Sequence, residues 1–384
     1  MDHTFPEIKK YFGFGCMRLP MKDGEVDLDQ MIQMTDLFLQ NGFNYFDTAH
    51  GYLDGKSELA LRDALTSRHK REDYILTDKL TDPYFHSEED IRPFFENQLK
   101  WCGVDYFDFY LMHAQGAVNY EKFKRCRAYE TAFELKKEGK IRHVGISFHD
   151  KAEVLDRILT DYPEIEIVQI QFNYLDYDDS SVESRKVYEV ARKHHKPMLV
   201  MEPVKGGSLV NLPEEAQKIY DDLNHKNGTP HSNASYAIRF AAGFDGIRVV
   251  LSGMSTLAQM QDNIAYMKDF KPLSEAEQAA VRGVTKVFDS LEMIPCTACH
   301  YCVEENHCPK QIRIPDMFAC FNKKKVFHDW NMDYYYGNVL TMEDHSKASD
   351  CIGCGGCERV CPQHLKIREL LKDVAGEFEK SAER

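Results

Sequence analysis

Three features are scarce or missing in this 384-residue sequence, and each absence excludes a class of protein. Positive charge is scarce, because 48 Lys and Arg residues stand against 62 acidic residues, and the net charge of −14 argues against a nucleic-acid-binding surface. No apolar run approaches the length needed to cross a membrane. The opening residues MDHTFPEIKK contain no apolar core of a signal peptide. We therefore expect a cytoplasmic protein that binds neither nucleic acid nor a membrane.

The composition is otherwise that of a globular protein. Apolar residues make up 43% of the chain and charged residues 29%, and the length allows one large domain with an appendage or two ordinary domains. Twelve cysteines would indicate disulfides in a secreted protein, but eight of them fall into two compact groups near the C-terminus. Free thiols and iron–sulfur clusters both fit a reducing compartment.

The two cysteine groups share one pattern of spacing. The first group is Cys296-x2-Cys299-x2-Cys302-x5-Cys308-Pro309, and the second is Cys351-x2-Cys354-x2-Cys357-x3-Cys361-Pro362. The second spacing is that of bacterial ferredoxins, in which three cysteines of a run bind one 4Fe–4S cluster and the cysteine before proline binds the other. We predict two such clusters with exchanged fourth ligands: Cys296, Cys299, Cys302 and Cys361 for one, and Cys308, Cys351, Cys354 and Cys357 for the other.

Zinc is the competing interpretation of these cysteines, since C-x2-C pairs also form zinc ribbons. A zinc site needs only four ligands, however, and requires neither a third cysteine at equal spacing nor a trailing Cys-Pro. A mononuclear metal site elsewhere is not indicated, because none of the histidines has metal-ligand spacing.

Short apolar runs alternate with helix-like amphipathic segments between residues 11 and 270. The runs are Phe12–Met17, Asn44–Thr48, Tyr74–Lys79, Tyr106–His113, His143–Ser147, Ile167–Asn173, Met198–Glu202 and Val249–Ser252. Eight strand–helix units of this size predict an α/β fold of the (β/α)8 TIM-barrel type over residues 1–285. A doubly wound sheet is the alternative, but the turn after the first run lacks the third glycine of a phosphate-binding loop. Residues 286–384 are predicted to form a small α+β ferredoxin-like domain with the two clusters.

Polar residues lie at the ends of successive predicted strands. Asp47 ends the second run, Lys79 the third and His113 the fourth, and Tyr52 follows Asp47 by five residues. An isolated polar residue at a strand end is more often structural, but catalysis in a TIM barrel takes place at the carboxyl ends of its strands. The four residues together therefore predict an active site.

These four residues resemble the catalytic tetrad of the aldo-keto reductase family. The resemblance extends to Asp47-Thr48-Ala49-His50-Gly51-Tyr52 with Gly55-Lys56-Ser57-Glu58, and to Val144–Ser147, Gln169–Asn173 and Ser252–Ser255 through Asn263. The cysteine-rich tail is similar to the dicluster domain of the iron–sulfur branch of that family. The resemblance implies a TIM barrel that reduces a small-molecule carbonyl substrate with NAD(P)H.

The chemistry follows from the residue types. Carbonyl reduction delivers a hydride to carbon and a proton to the developing alkoxide, and Tyr52 is the candidate general acid. A tyrosine has a pKa near 10, which a neighbouring Lys79 ammonium would lower. Asp47 would hold Lys79 charged and oriented, and His113 would orient the substrate carbonyl or hydrogen-bond Tyr52.

The resemblance also implies a nicotinamide dinucleotide at the barrel mouth, because no side chain donates a hydride. The implied contacts are Ser147 and Gln169 on the carboxamide, Met201 against the nicotinamide ring, Gly206 in the pyrophosphate loop, and Asn263 on the adenine. The Gly-Gly pair at 206–207 is equally typical of a simple turn. The segment expected beside a 2′-phosphate offers Gly253, Met254, Ser255 and Gln259 and no arginine, so the choice between NADP and NAD stays open.

Hydride transfer moves two electrons together, whereas an iron–sulfur cluster passes one electron at a time. The clusters are therefore either structural or an electron relay, and a relay would exchange electrons with a ferredoxin or another carrier. Two other functions stay open: a ferredoxin-linked reductase that holds a flavin or an unusual substrate in the barrel, and a nicotinamide-binding redox sensor. The sequence defines neither the substrate nor the oligomeric state.

Overall fold

The computed structural model describes residues 4–228, 230–304, 308–327, 329, 331–342 and 345–379. The chain divides into two compact units, Met1–Val204 with Ala234–Ser274, and Lys205–Asn233 with Glu275–Arg384. This division places two segments that precede residue 286 in the same unit as the cysteine-rich region. The predicted domain boundary at residues 285 and 286 stays a prediction.

Eight parallel strands close into a barrel in the order of the sequence, and β1 pairs with both β2 and β8. The strands are β1 Phe12–Gly15, β2 Tyr45–Asp47, β3 Ile75–Leu80, β4 Phe107–Gln115, β5 Ile141–Phe148, β6 Ile167–Gln171, β7 Met198–Met201 and β8 Ile247–Gly253. Each of the eight predicted apolar runs overlaps one of these strands. The predicted TIM barrel is confirmed.

Helices follow the strands as the alternating sequence pattern predicts. They are α1 Leu28–Gln40, α2 Lys56–Leu61, α3 Glu88–Cys102, α4 Ala117–Arg125, α5 Ala128–Lys137, α6 Ala152–Asp161, α7 Ser184–Lys193, α8 Glu214–Asn227, α9 Asn233–Ala242, α10 Leu257–Met267, α11 Glu275–Asp289, α12 Tyr301–Glu304, α13 Ile314–Phe327, α14 Met332–Tyr335, α15 Gly356–Arg359 and α16 Ile367–Phe378. Within the described ranges, none of them combines the length and the apolar character that a bilayer crossing requires.

The interior of the barrel is filled by apolar side chains that alternate along the strands. Its buried cluster consists of Tyr45, Ile75, Phe109, Leu111, Ile167, Leu199, Val249 and Leu251, together with Phe5 and Ile8 from the N-terminal segment. Because side chains two residues apart point to the same face of a strand, Asp47 follows Tyr45 on the inner face and Lys79 follows Ile75 and Thr77. The polar residues therefore lie at the carboxyl ends of the strands, next to the apolar interior of the barrel.

One inner position requires glycine for space. A Cβ atom on Gly145 of β5 would approach the backbone oxygen and the side chain of Ile167 to 2.6 Å, which is closer than real contacts allow. The missing side chain lets β5 and β6 pair closely, and this pairing sets Ser147 directly beside Gln169.

The second unit contains α8 and α11 to α16. Helices α8 and α11 pack on each other, with Gly283 of α11 facing Ile219 of α8. The cysteine-rich region, predicted as α+β, consists of short helices and irregular loops, and among its described residues we find no strand. A buried core that includes Ile294, Ile312 and Phe318 supports those loops.

Candidate active site

Lys79 is the centre of the polar group at the barrel mouth. Its side chain is completely buried, and Nζ donates to Asp47 Oδ1 at 2.6 Å, to the Thr48 carbonyl at 2.7 Å and to Tyr52 Oη at 3.2 Å. An ammonium group has three donors, so these three contacts occupy all of them. The Lys79 side chain is therefore fixed, and it points one donor at the Tyr52 hydroxyl.

His113 of β4 completes the predicted tetrad. Its ring lies 5.8 Å from the Tyr52 ring, centroid to centroid, and its Nδ1 atom is 2.7 Å from the Thr81 hydroxyl. Burial lowers the pKa of His113 well below its ordinary value, and the nearby positive charges of Lys79 and His149 lower it further. At neutral pH His113 is therefore an uncharged imidazole, with Nε2 as its second hydrogen-bonding atom.

The environment of Tyr52 departs from the expectation drawn from sequence. Burial raises the pKa of Tyr52 well above its ordinary value, and the carboxylates of Asp47 and Asp78 raise it further. The expected lowering by the Lys79 ammonium is outweighed, because the Tyr52 hydroxyl is buried away from water and lies near acidic side chains. Tyr52 consequently keeps its proton at neutral pH, which is the form that a general acid needs.

Asp47 connects the tetrad to Gln169, one of the predicted cofactor residues. The amide of Gln169 donates to Asp47 Oδ2 at 3.3 Å, and the Ser147 hydroxyl lies 4.0 Å from the sulfur of Met201. Burial raises the pKa of Asp47, while the Lys79 ammonium and the Gln169 amide oppose that rise. Ser147, Gln169 and Met201 lie on the neighbouring strands β5, β6 and β7, on the same side of the mouth.

In the second unit, thiols of the two cysteine groups lie near one another. Burial raises the pKa of Cys302, and the neighbouring thiols of Cys296 and Cys361 raise it further. Burial also raises the pKa of Cys357 to about 11, and here the neighbouring thiols are Cys351 and Cys308. Cys302 also lies near Cys357 of the second group, and the exchange of the fourth ligands stays a prediction.

A cavity of about 330 Å³ lies between the cysteines of the second predicted set. Cys308, Cys351, Cys354 and Cys357 line it, together with Cys302 and apolar residues such as Ile312. Among the described residues that line this cavity there is no histidine and no carboxylate. A donor set of thiols alone fits an iron–sulfur cluster, which thiolates bind.

Comparison with known protein families assigns both units. Residues 12–286 match the model of the aldo/keto reductase family. The chain belongs to the aldo/keto reductase family. Residues 295–366 of this aldo/keto reductase match a 4Fe-4S dicluster domain. Members of the family are oxidoreductases, and relatives of this chain are named reductases and dehydrogenases.

Curated relatives resemble this aldo/keto reductase over different lengths. Human aldo-keto reductase family 1 member C3 is 30% identical over 159 residues, which are 37% of this chain and 48% of the relative. The chain thus spans about half the length of that relative. The uncharacterized oxidoreductase YqkF of Bacillus subtilis is 24% identical over 301 residues, covering 71% of this chain and 92% of the relative.

Solved structures of aldo-keto reductases share the barrel. An enzyme from Klebsiella pneumoniae, determined in complex with NADPH, has a TM-score of 0.58 at 20% identity and covers 72% of this chain and 90% of its own. AKR11C1 from Bacillus halodurans, in its holo form, has a TM-score of 0.57 at 25% identity over 71% of this chain and 91% of its own. These similarities establish the fold.

In the aldo/keto reductase barrel, residues that sequence reasoning missed form hydrogen bonds with the backbone of Lys79. Asp78 accepts a hydrogen bond from the Lys79 backbone N–H at 2.8 Å, and Gln98 of α3 donates to the Lys79 carbonyl at 3.1 Å. Tyr110 donates to the Gln98 side chain at 2.6 Å. A polar residue on the apolar face of an amphipathic helix, as at Gln98, is the sequence signal that would have revealed this support.

Asp78 belongs to a buried pair of carboxyl groups. It hydrogen-bonds Glu58, and Glu58 also contacts Nδ1 of His50 at 2.6 Å. Burial raises the pKa of Glu58 to about 7 and that of Asp78 well above its ordinary value. Oxygen atoms of the two residues and the Cys102 sulfur lie within 4.8 Å of one another. Such close, desolvated carboxyl groups share a proton instead of both ionising.

The predicted adenine end of the cofactor site is occupied by internal hydrogen bonds. Ser255 donates its backbone N–H to Gln259 at 2.7 Å and its hydroxyl to the Arg18 carbonyl at 2.9 Å. Asn263 is buried and contacts the Ser252 hydroxyl at 3.0 Å and the Tyr266 hydroxyl. The role of Asn263 as an adenine contact stays a prediction.

Arg18 is a further cation that sequence reasoning missed at this position. Its side-chain carbons lie 3.4 to 3.6 Å from the place where a Cβ atom of Gly253 would stand. Strand pairing explains the contact, since Gly15 of β1 is in register with Gly253 of β8. Arg18, in the turn after β1, thus packs against the start of the β8–α10 segment.

Gly206 lies in the second unit and has a steric role there. Its φ of 64° is left-handed, and a Cβ atom would come within 2.4 Å of the Thr297 carbonyl oxygen. The loop therefore packs on the backbone between Cys296 and Cys299. The pyrophosphate contact stays a prediction, because this packing alone accounts for the glycine.

Proposed function

We propose that this aldo/keto reductase reduces the carbonyl group of a small molecule with NAD(P)H and carries two 4Fe–4S clusters. The contact between Lys79 Nζ and Tyr52 Oη, with Asp47 behind Lys79, supports the reaction best. It places a protonated phenol beside a fixed cation at the end of the barrel strands where TIM-barrel enzymes act.

Tyr52 is the proton donor of the proposed reaction. The reduced nicotinamide supplies hydride to the carbonyl carbon. As negative charge develops on the carbonyl oxygen, Tyr52 transfers its hydroxyl proton to that oxygen, and the Lys79 ammonium stabilises the resulting phenolate. Asp47 holds the Lys79 side chain in place through the hydrogen bond from Nζ to Oδ1, so little reorganisation is needed during the step.

His113 positions the substrate in this proposal. When the Thr81 hydroxyl donates to Nδ1, the neutral imidazole carries its proton on Nε2. Nε2 can then donate a hydrogen bond to the substrate carbonyl oxygen. The hydrogen bond polarises the carbonyl without adding a second positive charge beside Lys79.

The first unit contributes most of the proposed cofactor contacts. The residues are Ser147, Gln169, Met201, Gly253, Ser255, Gln259 and Asn263. Gln169 and Ser147 present an amide and a hydroxyl beside the tetrad, as a carboxamide needs. Arg18 would pair with a phosphate of the dinucleotide beside Gly253, and pairing with a 2′-phosphate would favour NADP over NAD.

Replacing Tyr52 with phenylalanine tests the proposed reaction. We expect kcat/KM for an aldehyde or ketone panel to fall by about 10² to 10⁴, because the general acid is removed while the ring is kept. Binding of the reduced nicotinamide, followed by fluorescence titration, should change little. Tyr11→Phe at the opposite end of the barrel is the matched control. Wild-type turnover by Tyr52→Phe would refute the assignment, and a flavin spectrum in the purified protein would favour the flavin-linked alternative.

The proximity of Cys361 to Cys302 and of Cys308 to Cys357 supports the two-cluster proposal. Anaerobic purification with iron and sulfide analysis should give about eight irons per chain. Cys361→Ala and Cys308→Ala should each weaken a different cluster, since each removes a ligand of the opposite group. About one zinc per cysteine group, without sulfide, would contradict the proposal.

A further inference from the structure

A buried lysine lies beside one of the two cysteine sets. Lys205 opens the second unit, and its side chain is only 4% exposed. Its Nζ atom donates to Gln363 Oε1 at 3.2 Å, and Gln363 is itself 3% exposed. The backbone around Lys205 is unusual, because φ is 46° at Lys205, 64° at Gly206 and 105° at Gly207. Left-handed geometry at a non-glycine residue is costly, so the surrounding packing must hold it.

Two contacts place this lysine at the set formed by Cys296, Cys299, Cys302 and Cys361. Gln363 follows Cys361 by two residues, and Thr297, against which Gly206 packs, follows Cys296 directly. The other set has different cations around it. Lys310, Arg359 and Arg368 line its cavity, and Arg368 forms an ion pair with Glu358 at 2.7 Å.

A buried ammonium acts differently on the two oxidation states of a cluster. A 4Fe–4S cluster with four thiolates is an anion, and reduction by one electron adds one more negative charge. A cation in a poorly solvated site attracts the more negative state more strongly, because water does not screen the interaction. Net charge, hydrogen bonds and exposure are the properties that set cluster potentials.

We infer that Lys205 raises the reduction potential of the cluster bound by Cys296, Cys299, Cys302 and Cys361, and that Gln363 positions its ammonium. The inference rests on the proposed cluster ligands. The effect is expected on this cluster and not on the cluster of Cys308, Cys351, Cys354 and Cys357.

Redox titration followed by electron paramagnetic resonance tests the inference in the full-length, anaerobically purified protein. Lys205→Met should shift the ratio of reduced to oxidised cluster about tenfold toward oxidised at a given potential, or about 59 mV for one electron. Lys205→Arg keeps the charge and should titrate close to wild type. Gln363→Leu removes the hydrogen bond but keeps the charge, and should give a smaller shift. The exposed Lys372→Met is the matched control.

The outcomes separate this inference from the cluster proposal. Too little iron in the wild-type protein would contradict the proposed clusters themselves. Full iron with unchanged potentials in Lys205→Met, or equal shifts of both clusters, would show that Lys205 only tethers the loop. If Lys205→Met loses iron, Lys205→Gln preserves a hydrogen-bonding side chain and the same comparison is made with that variant. Cys354→Ala, which removes a ligand of the other set, identifies the cluster whose signal shifts.

Discussion

The barrel and the cysteine-rich unit hold their functional side chains in different ways. In the barrel, Asp47 pairs in register with Thr77 and Lys79 with Leu111, so backbone hydrogen bonds fix both positions. In the second unit the cysteines lie on short helical turns and loops, and several of them pack against a small apolar core. The difference teaches that the barrel site is formed by the fold, whereas the cysteine sites depend on the group that they bind.

Removing iron should have the largest effect, and it should affect the second unit much more than the barrel. Thiol ligation supplies folding free energy to small metal domains, so chelation under oxidising conditions should unfold the loops of the second unit. We expect amide hydrogen exchange to increase across the described residues from Ile294 to Phe378, while β1 to β8 keep their protection. Equal protection before and after iron removal would show that the second unit folds without its clusters.

Lys79→Met should have the next largest effect, and only on the barrel. It removes the cation beside Tyr52 and leaves Asp47 buried without its partner, so kcat/KM should fall at least about 100-fold. Stability should fall by about 3 kcal/mol in urea unfolding, since breaking a buried ion pair is costly. Lys70→Met, an exposed change in the same unit, is the control, and the spectrum of the iron–sulfur clusters should not change.

Glu58 should make the barrel sensitive to pH. Its pKa is raised from 4.5 to about 7, so the folded state binds more protons than the unfolded state between these values. Stability should therefore fall as pH rises from about 4.5 to about 7, by roughly 2 to 3 kcal/mol. Urea unfolding at a series of pH values should show this slope in the wild type and a smaller one in Glu58→Gln. Identical slopes would exclude Glu58 as the titrating group.

Arg18→Gln should have the smallest effect. The proposed pairing of Arg18 with a phosphate beside Gly253 predicts that NADPH binding weakens about tenfold while NADH binding changes less. Fluorescence titration of both dinucleotides measures the difference directly. Lys22→Gln, an exposed change four residues after Arg18, is the control, and equal losses for NADPH and NADH would assign Arg18 to the pyrophosphate instead.

Much of the barrel site follows from the sequence because it depends on local pattern. The period of two along a strand places Asp47 and Lys79 on the inner face, and the chain order of the strands makes them neighbours. Tyr52 lies in the short loop after β2, and this loop is enough to bring it near Asp47. These residues could be named before any coordinates, since each lies within a few residues of a strand end.

Other parts of the site depend on contacts between distant segments. Gly253 follows Arg18 by 235 positions in the sequence. The two residues are in contact only because the first and last strands close the barrel. Burial raises the pKa of Tyr52, and neighbouring Asp47 and Asp78 raise it further, an environment that no periodic pattern indicates. The position of Lys205 beside Gln363 likewise depends on tertiary packing.

The packing of α8 on α11 limits how this protein can be divided. The chain enters the second unit at Lys205, leaves it for α9, β8 and α10, and enters it again at Glu275. A single cut between Ser274 and Glu275 would therefore leave α8 on the barrel fragment without its partner helix α11. Exchange of the second unit between related enzymes, by recombination or by design, requires three crossover points, before Lys205, after Asn233 and before Glu275, and must carry Lys205–Asn233 along with the tail.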